Sequence, residues 1–147
     1  MNKAIILSLW VSILIFSCEP STGSKMNQTN DPSEQAAVIR SVDSQEAKTL
    51  LEEDKDLILL DVRTPEEFAE GHLKGAINID FYATDFQQQL AHLNPHQRYM
   101  VYCAVGGRSG KTGQMMEEMG FREVYNVTEG FAELSTKGIP VTEGDKE

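Results

Sequence analysis

The chain contains few cysteines, with only Cys18 and Cys103 among its 147 residues. Cys18 closes an N-terminal apolar segment, whereas Cys103 follows a short apolar run later in the chain. Small proteins that depend on disulfides for stability carry several cysteines. The sequence therefore argues against a disulfide framework, and each thiol needs its own explanation.

Basic residues are also scarce, with 13 lysines and arginines against 23 aspartates and glutamates, for a net charge of −10. Such a surface repels phosphate groups, which argues against a nucleic-acid partner. Screening limits exposed charges to a range of about 8 Å at physiological salt, so one arginine can still attract a small anion locally. The length suits a single compact domain, which we expect to be monomeric.

No apolar run reaches the roughly 20 residues that a membrane-spanning helix needs. The most apolar segment covers residues 4–17, directly after Lys3. Its length and position are typical of the apolar part of a secretory signal, so the sequence predicts export. The alternative, a buried core helix, fits poorly because a long polar segment follows.

The end of this segment, Ile15-Phe16-Ser17-Cys18, resembles the lipobox of bacterial lipoproteins. The resemblance implies a lipoprotein signal peptide over residues 1–17 and acyl chains on Cys18. Several acyl chains hold a protein on a membrane surface without spanning it. We therefore expect an exported protein of the periplasm or cell envelope that is lipid-anchored to a membrane. The alternative is a free or paired thiol at Cys18 after ordinary signal cleavage.

Residues 19–35 are mostly small and polar, and Met26 is their only large apolar side chain. A segment of this composition cannot bury enough apolar surface to fold. The sequence predicts a flexible tether over residues 18–36 and a folded domain over residues 37–147.

The folded part alternates strand and helix patterns. Residues 57–60 are continuously apolar and end at Asp61, which is typical of a strand buried on both faces in a parallel sheet. Asp43 and Glu46 form a capping box at the start of the first helix. Strands are predicted at residues 57–60, 76–79, 98–102 and 123–127, and helices at 44–54, 65–70, 82–93, 109–119 and 130–137. This alternation indicates an α/β domain with a mainly parallel central sheet flanked by helices.

A tight turn joins the predicted strand ending at Tyr102 to the helix beginning near Ser109. Gly106 and Gly107 allow the backbone to reverse there, and the successive amides of such a turn form an anion-binding concavity. The helix start adds unpaired amides and a positive dipole end, so the pKa of a thiol here should fall below its free value of about 8.5. Cys103 is therefore the predicted nucleophile.

The predicted anion cradle consists of the backbone amides that follow the cysteine, those of Ala104, Val105, Gly106, Gly107 and Arg108. Two roles are open for the Arg108 side chain, which could neutralise charge on a bound donor or hold the loop from beneath. The alternative for Cys103 is a buried, inert thiol. The glycines, the arginine and the helix start argue against that alternative.

Asp61 and Arg63 are predicted to support this loop instead of reacting. Asp61 stands at the end of a strand, where it can accept hydrogen bonds from loop amides, and Arg63 can pair with Glu67. His72 is interpreted as a turn or packing residue, because a preformed thiolate needs no general base. Lys111 either faces solvent or, one turn into its helix, attracts anionic donors.

Three segments together resemble the rhodanese family of sulfurtransferases. The first segment covers residues 61–78 and contains Asp61-Val62-Arg63, Glu67-Phe68, Gly71-His72-Leu73 and Gly75-Ala76-Ile77-Asn78. The second is the loop at residues 103–108. The third covers residues 127–141, where Glu129 stands in place of a common glycine and Leu134 in place of a common tryptophan. The resemblance implies a three-layer α/β fold and the transfer of a sulfane sulfur. The donor would be a small anion such as thiosulfate, the acceptor a thiol or cyanide, and the intermediate a persulfide on Cys103. No metal or organic cofactor is implied.

Two other functions share part of this pattern. Cysteine-dependent phosphatases and arsenate reductases generally place five residues between the cysteine and the arginine, whereas four separate Cys103 from Arg108. The shorter loop suits a sulfur atom better than a phosphoryl group. A non-catalytic persulfide carrier or binding module would use the same residues, and the sequence leaves that alternative open.

Overall fold

The computed structural model describes residues 38–143 of the chain. The predicted signal peptide over residues 1–17, the predicted tether over residues 18–36 and the predicted lipidation site Cys18 lie outside the described residues. These three predictions and the predicted domain boundaries therefore stay predictions.

Strands and helices alternate along the described range, as the sequence pattern predicts. The strands are β1 (Val38–Val42), β2 (Ile58–Asp61), β3 (His72–Leu73), β4 (Ile77–Asn78), β5 (Arg98–Tyr102), β6 (Glu123–Val127) and β7 (Val141–Thr142). The helices are α1 (Ser44–Glu53), α2 (Pro65–Glu70), α3 (Phe86–Ala91), α4 (Gly107–Glu118) and α5 (Gly130–Leu134), and a 3-10 turn at Ser135–Lys137 follows α5.

Five of these strands form one parallel sheet in the order β1-β6-β5-β2-β4. β3 and β7 form a separate antiparallel pair. The sheet register places Asp61 beside Tyr102, so β2 and β5 end together. Because parallel strands share one carboxyl edge, the loops that follow them meet on that edge. The predicted α/β class with a mainly parallel sheet is confirmed.

The central strand β5 is buried on both faces. Tyr99 and Val101 lie in an apolar cluster with side chains of α3 and α4, whereas Met100 and Tyr102 lie in a second cluster with side chains of α1 and α5. Successive strand residues point to opposite faces, so the run of large side chains fills both clusters. Helices thus cover the sheet from two sides, which makes three layers.

Some predicted boundaries differ from the structure. The helix predicted at residues 82–93 covers only Phe86–Ala91, because a turn in which the Ala83 amide donates to the Asp80 carbonyl precedes it. The helix predicted at residues 109–119 covers Gly107–Glu118, and Met119 follows it as a C-cap that is 36% exposed. The strands β1, β3 and β7 were not predicted; β3 and β7 have two residues each and show no pattern of their own.

The two departures from the resembled closing signature occupy definite places in the fold. Glu129 accepts a hydrogen bond from the Ser44 amide at 2.8 Å, so it ties the start of α1 to the segment after β6. Leu134 is fully buried in the cluster that contains α1 and α5 side chains. Leu134 therefore acts in packing, whereas the exposed Glu129 acts through a hydrogen bond.

Within residues 38–143, no helix combines the length and the apolar character needed to cross a membrane.

Candidate active site

The loop that carries Cys103 leaves the carboxyl edge of the sheet between β5 and α4. Its neighbours on that edge are the ends of β2 and β6, which pair with β5 on either side. Loops at the carboxyl edge of a parallel sheet are the usual position of sites in such folds. The sheet thus supports the cysteine loop from beneath.

Gly106 gives the loop its shape. This residue has φ +85°, in the left-handed region, and a Cβ atom added to it would lie 2.0 Å from the Thr128 carbonyl oxygen. Gly107 has open space around it and is the first residue of α4. The two glycines therefore differ: Gly106 is required by backbone geometry and close approach, whereas nothing crowds Gly107.

The start of α5, which follows β6 closely, holds the cysteine loop from its other side. The Phe131 amide donates a hydrogen bond to the Cys103 carbonyl at 2.7 Å. Gly130 has φ +73°, and a Cβ atom there would lie 2.2 Å from the Ala104 carbonyl oxygen. Sequence reasoning missed these contacts, although Gly130 lies in the third segment of the family resemblance. Two closely fitted backbones thus fix the position of Cys103.

The Cys103 side chain is 1% exposed and is surrounded by hydrogen-bond donors. Burial by itself raises the pKa of the thiol, but hydrogen bonds from the Ser109 amide and hydroxyl and from the Val105 and Arg108 amides outweigh it, so the pKa is lowered. The Ser109 hydroxyl lies 3.7 Å from the sulfur. Such donors favour the charged form of the group they face. The arrangement can therefore hold a thiolate or another anion bound to the sulfur.

Arg108 pairs with Glu67 of α2 through both terminal nitrogens of its guanidinium group. Its Nη1 lies 2.6 Å from Glu67 Oε2 and its Nη2 lies 2.7 Å from Glu67 Oε1. Arg108 lowers the pKa of Glu67 to about 2, and Glu67 in turn raises the pKa of Arg108. Glu67 Oε2 also accepts from the Thr64 amide, which completes the capping box of α2. The arginine thus ties the cysteine loop to α2.

The predicted pairing of Arg63 with Glu67 is wrong. Arg63 donates to the Asp61 carboxylate, with Nη2 at 2.6 Å from Oδ2, and to the Gly71 carbonyl at 2.7 Å. Asp61 also accepts from the Arg63 amide at 2.9 Å, as expected for a carboxylate that bonds loop amides. The sequence could not show that Glu67 is taken by Arg108, because the two are 41 residues apart.

The Asp61–Arg63 pair is buried beneath the loops. Asp61 is 0% and Arg63 is 4% exposed. The Arg63 guanidinium lies 3.9 Å from the centre of the Phe131 ring, and the Phe131 amide holds the Cys103 carbonyl. The pair therefore reaches the cysteine loop through Phe131 and through Tyr102, whose ring centre lies 5.8 Å from the Arg63 guanidinium. Neither charged group lines the open cleft beside Cys103.

An open cleft with a volume of about 600 Å³ includes Cys103 in its wall. Its lining combines aromatic and aliphatic side chains with three charged groups: Thr64, Glu67, Phe81, Tyr82, Cys103, Val105, Gly107, Arg108 and Lys111. Tyr82 and Val105 are exposed at its rim, 68% and 74% respectively. The cleft has room for a small anion beside the sulfur and for a second molecule that approaches from solvent.

His72, the histidine of the first family segment, is not placed to transfer a proton to or from Cys103. His72 stacks on Phe68, with ring centroids 3.6 Å apart, and its Nδ1 lies 2.9 Å from the Phe68 carbonyl oxygen. It does not line the cleft. In the part of the chain from residue 38 to 143, no group of three or more histidine, cysteine or carboxylate side chains is placed to hold a metal ion.

A buried cysteine at the carboxyl edge of a parallel sheet faces loop amides and a helix start, an arrangement that can hold an anionic group on a thiol. The chain belongs to the rhodanese-like domain family. The sequence profile of that family, described as "Rhodanese-like domain", matches residues 43–137. The family resemblance predicted from the motifs is thus confirmed.

Two sulfurtransferases and one solved structure are similar to this chain. Thiosulfate sulfurtransferase 18 from Arabidopsis thaliana is 31% identical over 134 residues, which cover 83% of this chain and 97% of that protein. Thiosulfate sulfurtransferase PspE from Escherichia coli is 34% identical over 67 residues, covering 46% of this chain and 64% of that protein. The crystal structure of a rhodanese-like domain protein from Staphylococcus aureus matches with a TM-score of 0.61 at 30% identity, covering 71% of this chain and 99% of that one.

Proposed function

We propose that the protein is a sulfurtransferase that moves a sulfane sulfur from thiosulfate or a related anionic donor to a thiol or cyanide, through a persulfide on Cys103. One observation carries the proposal. The Cys103 sulfur lies in the wall of an open cleft and faces the amides of Val105, Arg108 and Ser109, which lower its pKa. The names of the two sulfurtransferase relatives support the same reaction class.

In the first half-reaction, the Cys103 thiolate attacks the outer sulfur of thiosulfate. A new sulfur–sulfur bond forms to Cys103 as the sulfur–sulfur bond of thiosulfate breaks, and sulfite leaves with the electron pair of the broken bond. Charge balances, because three negative charges are present before and after the step. The amides that favour the thiolate also face the terminal sulfur of the persulfide and offset its charge.

In the second half-reaction, an acceptor thiolate or cyanide attacks the terminal sulfur of the persulfide. A bond to the acceptor forms, the bond to Cys103 breaks, and the Cys103 thiolate is restored. The product is an acceptor persulfide or thiocyanate. The cleft opens to solvent beside Tyr82 and Val105, so an acceptor has a path to the sulfur.

The Arg108–Glu67 pair positions the loop amides in both steps. Because the guanidinium is already engaged on two oxygens at 2.6 and 2.7 Å, its part in the reaction is to hold the loop. Of the two roles left open by the sequence, we therefore assign the structural one to Arg108.

Intact-mass analysis of the purified protein after incubation with thiosulfate tests the proposal. We expect a mass increase of one sulfur atom, which cyanide removes with release of thiocyanate. Cys103→Ser should show neither event. Cys18→Ser, which removes the other cysteine, should show both.

The rival functions predict different outcomes. Phosphatase or arsenate reductase turnover without any sulfur on Cys103 would overturn the assignment. A persulfide that forms but is not discharged by thiols or cyanide would identify a sulfur carrier and not an enzyme.

We also propose that the protein is exported and held at a membrane of the cell envelope by lipid on Cys18. The support is the apolar segment at residues 4–17 and the lipobox-like end of that segment. Metabolic labelling with a fatty acid in a bacterial host should label the wild type and Cys103→Ala but not Cys18→Ala. Labelling that persists in Cys18→Ala would overturn the lipid anchor.

A further inference from the structure

Three charged side chains line the cleft beside Cys103, and two of them neutralise each other. Glu67 and Arg108 form the bidentate pair described above, so their formal charges cancel. The third is Lys111. Within residues 38–143, the side chain of Lys111 forms no hydrogen bond or ion pair, and the residue is exposed. The net charge of the cleft walls, apart from the thiolate, is therefore the single positive charge of Lys111.

Lys111 is well placed to act on a molecule bound at Cys103. It follows Gly107 by four positions on α4, and residues four apart lie on the same helix face. Gly107 lines the cleft as well. The long, flexible lysine stem lets the ammonium group move toward a bound anion, whereas the Arg108 guanidinium is held by Glu67. Among the described residues that line the cleft, Lys111 is thus the cation whose charge is free to bind a substrate.

We propose that Lys111 is the substrate-binding residue that makes the site prefer dianionic sulfur donors. This inference rests on the proposed sulfur transfer at Cys103. Attack by a thiolate on a dianion brings three negative charges into one cleft, and their repulsion opposes the step. A nearby cation offsets this repulsion, and it does so more strongly for a dianion than for a monoanion.

A pair of donors with the same shape tests the charge preference. Thiosulfate carries two negative charges, and methanethiosulfonate carries one because a methyl group replaces one oxygen. Both react in the same way: the thiolate takes the outer sulfur, the sulfur–sulfur bond of the donor breaks, and sulfite or methanesulfinate leaves with the electron pair. The ratio of kcat/KM for the two donors therefore reports the charge preference.

For Lys111→Gln we expect kcat/KM for thiosulfate to fall by about fivefold, mainly through a higher KM, because the lost interaction is a solvent-exposed one. For methanethiosulfonate we expect a fall of less than about twofold. Lys111→Arg, which keeps the charge, should retain the wild-type ratio. Lys74→Gln removes an exposed lysine outside the cleft and should also leave the ratio unchanged. An unchanged ratio in Lys111→Gln would overturn the inference.

A binding measurement separates this inference from the proposed reaction. Thiosulfate is titrated into the full-length Cys103→Ser protein, which cannot form a persulfide, and affinity is followed by NMR chemical shifts of the loop amides. Weaker binding in the Cys103→Ser, Lys111→Gln double variant supports the role of Lys111, even if no sulfur transfer is found. Equal binding, or no detectable binding in either variant, overturns it. Absence of a persulfide in the wild type overturns only the reaction.

Discussion

Glu67 and Arg108 join the second helix to the cysteine loop through two short hydrogen bonds, with nitrogen–oxygen distances of 2.6 and 2.7 Å. The pair is partly buried, with 33% of the Glu67 and 16% of the Arg108 side chain exposed. Bidentate arginine–carboxylate pairs fix orientation as well as distance. Because Arg108 follows the two loop glycines directly, this contact sets where the loop amides point.

The first prediction concerns Glu67 and pH. Its pKa is about 2 in the folded protein, below its ordinary value of 4.5, so the carboxylate contributes stability that is fully present above pH 4.5 and is lost as the pH falls toward 2. We expect Glu67→Gln to lower the free energy of unfolding by about 1–2 kcal/mol at neutral pH, after allowance for solvent screening. Urea denaturation at neutral and acidic pH measures this difference, which should shrink as the pH falls.

Glu70→Gln is the matched control for this prediction, because Glu70 is an exposed carboxylate at the other end of the same helix. Its effect on stability should be within about 0.5 kcal/mol. A Glu67→Gln effect that is absent at neutral pH, or that grows on acidification, contradicts the role assigned to the pair.

The second prediction compares the two loop glycines. Gly106→Ala places a Cβ atom 2.0 Å from the Thr128 carbonyl in a left-handed backbone conformation, so we expect a loss of more than about 2 kcal/mol of stability and a disrupted loop. Gly107→Ala meets no atom within 4 Å and should change stability by less than about 1 kcal/mol. Thermal denaturation and persulfide formation are measured for both. Equal effects of the two substitutions would contradict the close approach of Gly106 to the Thr128 carbonyl.

The third prediction concerns the Ser109 hydroxyl, which lies 3.7 Å from the Cys103 sulfur and lowers the pKa of the thiol. Ser109→Ala removes this donor, so the Cys103 pKa should rise and the thiolate fraction at neutral pH should fall. The rate of alkylation by iodoacetamide as a function of pH measures the change, and its midpoint should move to higher pH.

Thr112→Val is the control for Ser109→Ala. The Thr112 hydroxyl is buried on the same helix, but it donates to the Arg108 carbonyl and not to the sulfur. Its loss should leave the alkylation midpoint unchanged. A midpoint that moves equally in both variants would assign the effect to the helix as a whole instead of to the Ser109 hydroxyl.

The fourth prediction concerns the buried pair beneath the site. Arg63→Met leaves the fully buried Asp61 carboxylate without its guanidinium partner, which should cost about 3–5 kcal/mol of stability. Arg40→Met breaks the exposed pair with Glu46 and should cost less than about 1 kcal/mol. Chemical denaturation of both variants provides the comparison. A small effect of Arg63→Met would show that the pair does not support the site.

Local patterns predicted much of this architecture because they act over a few residues. The continuous apolar run at β5 and the Asp43 N-cap of α1 depend only on neighbouring residues, and the structure has both where they were expected. The second half of the predicted α1 capping box is wrong, because the Glu46 side chain pairs with Arg40 instead of returning to the Asp43 amide. The pairing of Arg63 was predicted wrongly, since Arg63 and Arg108 are both basic residues near Glu67 and only their positions in space decide which one it meets. The contact of Phe131 with Cys103 was missed for the same reason.

The sequence by itself determined the fold class, the family and the location of the thiol, because periodicity, caps, glycines and the cysteine-to-arginine spacing are local properties of the chain. Only the tertiary structure decided how charge is distributed around that thiol. It engages Arg108 with Glu67 and leaves Lys111 in the cleft without a partner among the described residues. The reason is physical: an ion pair depends on the distance between groups that are far apart in sequence, and folding alone brings them together.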